Sequence, residues 1–215
     1  MKKRSFCLAI ILMMMFVLWT IAVSRVDVRA IGPQESSVGF AALNGFVHNL
    51  TGVHMLLYTI TDWLGLVPIA LGLGFALLGL VQWIKRKHLL KVDRSILVLG
   101  GFYILVITAY LFFESFVINY RPVLIEGMLE ASYPSSTTML VMCVMPTAVM
   151  QFRRRIKNAV LWQWVSLVMT AFTVFMVVGR LISGVHWLTD IIGGILMSAG
   201  LVMMYDAAMG GTNHE

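Results

Sequence analysis

Residues 64–84 read LGLVPIALGLGFALLGLVQWI, 21 positions without a charged side chain, closed by Lys85-Arg86-Lys87. About 20 mostly apolar residues in a helix cross the ~30 Å hydrocarbon core of a bilayer, so this run reads as a membrane span ending at a basic cluster. Working outward from it, five further runs of the same character lie at Phe6–Val23, Ile96–Phe113, Ser135–Gln151, Val160–Val178 and Trp187–Tyr205. The 215-residue chain is 60% apolar and only 12% charged, with a mean hydropathy of +0.89. Soluble domains carry about a quarter charged residues, which excludes that class here. The sequence therefore predicts an all-α polytopic membrane protein with six transmembrane helices. The fourth run is short and contains Pro146, a kink that neighbouring helices can accommodate. Eighteen glycines and 16 methionines suit packed spans, since small residues allow close approach and thioethers fill gaps. Cys7 and Cys143 each sit inside an apolar run and read as buried small hydrophobes, not as a bridge or metal pair.

Lys and Arg fix the expected orientation. With the N-terminus in the cytoplasm, twelve of them fall inside: Lys2, Lys3, Arg4, Lys85, Arg86, Lys87, Lys91, Arg94, Arg153, Arg154, Arg155 and Lys157. Four fall outside, Arg25, Arg29, Arg121 and Arg180, a split that obeys the positive-inside rule and puts both termini in the cytoplasm. The first run is longer than a signal-peptide core and is followed by Arg25, Asp27 and Arg29, so it reads as a retained helix. Val38–Ile60 is also largely apolar, but a span there would invert the charge rule. Asn44, His48 and Thr51 recur at i, i+4 and i+7 as a polar stripe, the pattern of a helix lying in the outer interface. One domain is expected, with residues 1–63 supplying a transmembrane and an interfacial helix and residues 64–215 a five-helix core. The net charge of +6 is explained by topology and anionic lipid, not nucleic acid.

Three polar clusters fall at the outer ends of these helices, where ionisable groups are costly and usually functional. Gly179-Arg180-x5-His186-x3-Asp190 places an imidazole and a carboxylate four residues apart, on one face if both are helical. A carboxylate accepting the ring N–H fixes the tautomer and leaves the other nitrogen as nucleophile or base. Arg180 offers a planar fork to phosphate oxygens. Tyr133-Pro134-Ser135-Ser136-Thr137-Thr138 reads, taken alone, as an ordinary N-cap ahead of the alternative, hydroxyls and free amides at a helix start that attract anions. Arg121-Pro122 alone reads as an interfacial anchor.

Together the clusters resemble the type 2 phosphatidic acid phosphatase (PAP2) family, whose motifs run K-x6-R-P, P-S-G-H and S-R-x5-H-x3-D. Here they read Glu114-x6-Arg121-Pro122, Pro134-Ser135-Ser136-Thr137 and Gly179-Arg180-x5-His186-x3-Asp190, so the first two motifs are degenerate. The resemblance implies a membrane lipid phosphatase with His186 as the nucleophile forming a phosphohistidine and Asp190 as its orienting partner. Arg121, Arg180, Ser135 and the Ser136 amide are implied as phosphate ligands, with no metal or other cofactor. Glu114 and Thr137 stand where the family has lysine and the general-acid histidine, and a threonine hydroxyl is too weak an acid for that task. A pyrophosphate substrate, such as polyprenyl (undecaprenyl) pyrophosphate, would relieve the need, since its leaving group departs as a stable anion. His48, His54 or a protonated Glu114 are alternative acids. The other expectation is a non-catalytic binder of lipid phosphate. Either way the partners are a membrane lipid phosphate and the bilayer, and the site lies on the outer face of the plasma membrane.

Overall fold

The computed structural model describes residues 2–210; the extreme termini, expected in the cytoplasm, lie outside the described residues. Eight α-helices run in order: α1 (Lys2–Arg25), α2 (Ala41–Thr51), α3 (Met55–Leu64), α4 (Leu66–Arg86), α5 (Arg94–Ser115), α6 (Ser136–Arg153), α7 (Ala159–Ile182) and α8 (Leu188–Met209). The only paired strands among the described residues are two-residue segments, β1 (Arg29–Ala30) and β2 (Ser37–Val38), antiparallel between α1 and α2. The chain is thus all-α, as expected.

Among the described residues, five helical stretches are long and apolar enough to cross a membrane: Lys3–Arg25, Met55–Arg86, Arg94–Ser115, Ala159–Ile182 and Leu188–Met209. The expected fourth span is α6, which at 18 residues is about 27 Å long. It falls short in composition because it begins at Ser136-Thr137-Thr138 and carries Thr147, Gln151 and Arg153. Three of these, Thr138, Thr147 and Gln151, are enclosed by protein. α6 packs against α7, α8, α4 and α5, and Thr138, Thr147 and Gln151 are fully buried. Gln151 donates to the Ser95 carbonyl at 3.0 Å, and Thr147 to the Cys143 carbonyl at 2.7 Å.

The expectation of one interfacial helix over Val38–Ile60 requires correction. The chain breaks at Gly52–His54, and the second half, α3, leads straight into α4 as part of a 32-residue stretch starting at Met55 rather than Leu64. The break between α3 and α4 has a local cause. Pro68 has no N–H to give the Leu64 carbonyl, and its ring crowds that carbonyl. The polar stripe of α2 turns inward: Asn44 is buried, donating to the Gly39 carbonyl at 2.7 Å and the Thr189 hydroxyl at 2.9 Å. Phe46 and Leu50 face outward, 67% and 74% exposed. Cys7 is exposed rather than buried, whereas Cys143 is buried; both are free.

α1 lies along α8. Trp19 donates to the Thr189 carbonyl at 3.1 Å, Ser5 to Asp206 at 2.8 Å, and Thr20 and Tyr133 share a 2.7 Å hydroxyl pair. The ends of α5 and α7, the starts of α6 and α8, and α3 therefore gather at one end of the bundle. The basic clusters Lys85–Arg94 and Arg153–Lys157 lie at the other.

Candidate active site

His186 is positioned by a loop, not by a helix. Gly184 turns the chain out of α7 in a left-handed conformation (φ 68°), and a Cβ there would sit 2.0 Å from the Gly52 carbonyl oxygen. Next to that contact the His54 amide donates to the Ser183 carbonyl at 2.9 Å. The loop is thus clamped to the link between α2 and α3 before it reaches His186. Beyond His186, Asp190 in the first turn of α8 accepts the Trp187 amide at 3.0 Å, and the Trp187 indole donates to the Tyr120 carbonyl at 2.7 Å.

Arg121 comes from the α5–α6 connection, which folds back on itself as a narrow hairpin. The Arg121 amide donates to the Glu130 carbonyl at 3.0 Å and the Ser132 amide to the Asn119 carbonyl at 2.9 Å, with Glu126 and Gly127 at positive φ at the tip. This pairing sets Asn119, Arg121 and Ser132 side by side. Arg121 Nη1 then lies 3.5 Å from His186 Nε2.

The expected direct contact between His186 and Asp190 is replaced by a relay. His186 precedes α8, so the four-residue spacing does not place the two side chains on one helical face. Ser132 stands between them, its hydroxyl 3.0 Å from His186 Nδ1 and donating to Asp190 Oδ2 at 2.5 Å. A hydroxyl has one proton. Because Ser132 gives it to Asp190, His186 Nδ1 must be the donor in the other bond, which leaves the Nε2 lone pair toward Arg121. Asn119 donates to Asp190 Oδ1 at 3.2 Å and completes the buried group. Burial holds the His186 imidazole well below its usual pKa, and the charges of Arg121 and Arg180 push it further the same way. The ring is neutral at pH 7, and its Nε2 carries a lone pair, turned to Arg121, in place of a proton.

Arg180 forms the second half of the site. Its side chain is 2% exposed, and Nη2 donates to the Asp62 carboxylate at 2.8 Å and the Thr137 hydroxyl at 2.6 Å. Nε and Nη1 are buried without a hydrogen-bond partner. Tyr58 links the two arginines: the Arg180 guanidinium lies 4.9 Å and that of Arg121 6.0 Å from its ring centroid. Gly179, where the motif has serine, fits tightly here, since a Cβ would approach the Thr61 methyl to 2.8 Å.

Beside Arg121 and Ser132 opens a cavity of about 280 Å³, also lined by Tyr110, Glu114, Glu130 and Ser136. Arg121 Nε pairs with Glu130 at 3.1 Å on its wall. Ser135 is fully buried beneath the site, and its hydroxyl accepts the Thr138 amide at 3.5 Å as the cap of α6. His48 packs against Trp187 with the rings tilted by 56° and centroids 5.4 Å apart, while His54 turns Nε2 to the Thr51 carbonyl at 2.9 Å. Among the described residues no three His, Cys, Asp or Glu side chains converge to hold a metal ion.

This geometry joins the first and third motif positions around one buried imidazole, and residues 101–209 match the model of the PAP2 superfamily. The chain belongs to the PAP2 superfamily. The fold agrees: the crystal structure of the first transmembrane PAP2 type phosphatidylglycerolphosphate phosphatase from Bacillus subtilis is similar at a TM-score of 0.65 and 17% identity. The similarity covers 96% of this chain and 98% of that one. No curated protein matches the chain. This PAP2 chain keeps both motif arginines and the third-motif His and Asp, while its second-motif position, Thr137, serves as an acceptor for Arg180. Reading motifs alone missed Ser132, Asn119, Tyr58, Asp62 and Glu130. Ser132 lies one residue before the second cluster and Asn119 two before Arg121, so proximity was their only signal; Tyr58 gave none, and Asp62 showed only as a carboxylate just ahead of the span at residues 64–84.

Proposed function

We propose that this PAP2 protein is a membrane phosphatase that removes phosphate from a lipid phosphate or polyprenyl pyrophosphate through a phosphohistidine on His186. The observation that carries this reading is the buried, neutral imidazole whose Nε2 lone pair faces Arg121 while Nδ1 is tied through Ser132 to Asp190. Nε2 attacks phosphorus, the P–N bond forms, and the bond to the leaving oxygen breaks. Positive charge developing on the ring is stabilised through the Ser132 relay. Arg121, the open donors of Arg180 and the amide of Ser136 take the equatorial oxygens, the positions where charge must be met in phosphoryl transfer.

A lipid substrate is supported by the surroundings of the cavity. Phe113 lines both the polar cavity and an apolar groove of about 550 Å³ between α1 and α5, lined by Phe16, Val17, Ile21, Phe112 and Phe116. A headgroup at Arg121 thus has a place for its hydrocarbon tail alongside. We take α6 as a sixth span, the chain as one domain, the basic loops and both termini as cytoplasmic, and the site as facing the outer leaflet of the plasma membrane. The Thr137 hydroxyl is too weak an acid to protonate a leaving alkoxide near neutral pH, which favours the anhydride over the monoester.

The test is release of inorganic phosphate from polyprenyl pyrophosphate and from phosphatidate by purified protein, beside His186→Ala. Loss of release in the variant is expected; equal release by both refutes the reading. The use of Thr137 as a partner for Arg180 favours a second reading, a lipid-phosphate binder without turnover. That reading predicts saturable lipid binding that survives His186→Ala.

A further inference from the structure

We propose that Asp62 is the general base of the second half-reaction, taking a proton from the water that hydrolyses the phosphohistidine; this rests on the reaction proposed above. Every phosphohistidine must be hydrolysed, whatever the leaving group, and the residue that protonates a leaving group in the first step commonly activates water in the second. Thr137 stands where the family resemblance has that residue and cannot take either part. Asp62 shares its environment: the Thr137 hydroxyl and the Asp62 carboxylate contact the same nitrogen, Arg180 Nη2, at 2.6 and 2.8 Å.

The other carboxylates near the site are committed differently. Asp190 is fully buried and accepts bonds from Ser132, Asn119 and Trp187, Glu130 is paired with Arg121, and Glu114 stands across the cavity at the end of α5. Asp62 is 59% exposed, so protein does not close it off as it does Asp190, and the proposal places the attacking water against it. It also interrupts a 32-residue apolar stretch, Met55–Arg86, where a carboxylate is costly unless it is partnered. Arg180 supplies the partner, and its two open donors are where a phosphoryl group would dock. Asp62 accepts a hydrogen bond from Arg180, the role of a base, and so serves hydrolysis and not departure of the first product. The balance is simple: the water O–P bond forms, the P–Nε2 bond breaks with its electron pair returning to His186, and the water proton passes to Asp62 as inorganic phosphate leaves.

The experiment is rapid quench of purified full-length protein in detergent with lipid phosphate labelled at phosphorus, for wild type, Asp62→Asn, Asp62→Glu and His186→Ala. Two readouts are taken: product in the first turnover and label on the protein that is stable to base and labile to acid. For Asp62→Asn we expect turnover about 10²-fold lower, a preserved burst near one product per protein, and accumulated phosphoprotein; Asp62→Glu recovers part of the turnover. An Asp62→Asn protein that elutes as a single species but loses the burst together with turnover overturns the proposal, since Asp62 then only positions Arg180. Turnover within threefold of wild type overturns it as well. If His186→Ala turns over normally, the proposed reaction itself is at fault, and Asp62 falls with it.

Discussion

The two halves of the site solve the same electrostatic problem in opposite ways. Around His186 every polar group is matched inside the protein: Nδ1 to Ser132, Ser132 to Asp190, and Asp190 to Asn119 and the Trp187 amide, all away from water. Around Arg180 the guanidinium is buried with two donors unpaired, and its counter-charge, Asp62, lies exposed at the protein surface. The closed half holds one tautomer of one ring. The open half is prepared to exchange partners. A group that must be a nucleophile profits from the first arrangement, and one that must grip and release an anion from the second.

The comparison can be broken most decisively at its closed half. Asp190→Asn leaves the shape but removes the charge that stabilises the ring, and turnover of polyprenyl pyrophosphate should fall by about 10³-fold or more, by analogy with other His-orienting carboxylates. Retention of a tenth of the activity would show that the relay is not in use. Ser132→Ala should cost about 10²-fold in kcat with little change in KM, because tautomer control is lost while the arginines remain; a rise in KM alone would transfer Ser132 to binding.

The open half is sharpened by a gain of function. Thr137→His restores an imidazole beside Arg180 and should raise phosphatidate turnover about 10- to 10²-fold, with pyrophosphate turnover changed less than threefold. Equal gains on both substrates would mean that leaving-group protonation is not what Thr137 lacks. The pH profile separates the halves further. Because the pKa of His186 is depressed by burial and by two arginines, its lone pair is lost only when pH falls well below 6.5, and the acid limb of kcat/KM assigned to it should lie there. The same shift makes its contribution to stability complete above pH 6.5 and lost as pH falls through the folded value. A kcat/KM profile whose acid limb lies at 6.5 would contradict this. The smallest effect belongs to the contact that ties α1 to the start of α6: Tyr133→Phe removes the hydroxyl pair with Thr20 and should lower stability by about 1 kcal/mol in denaturant titration.

Much of this was legible in the sequence because hydropathy and spacing are local signals. The span at residues 64–84 and the placement of Arg121, Arg180, His186 and Asp190 at one end of the bundle follow from counting residues. What was not legible depends on contacts between distant elements. Val38–Ile60 looked like one interfacial helix because its apolar content is continuous; the break at Gly52 follows from the need to dock the His186 loop there. The four-residue spacing suggested a direct His186–Asp190 bond, which assumes both residues are helical, and α8 begins two residues too late. Ser132, Tyr58 and Asp62 belong to no motif, and only the folded hairpin and the course of α3 bring them in.

α2 carries its amide-bearing Asn44 toward α8 and its Phe46 and Leu50 outward. When the oily medium is replaced by water, the outward face of such a helix loses its cover and the Asn44 bonds to α8 are left to hold it. The clamp on the His186 loop is therefore leashed to the bilayer: harsh solubilisation should silence the chemistry before it unfolds the bundle, and returning lipid should revive it.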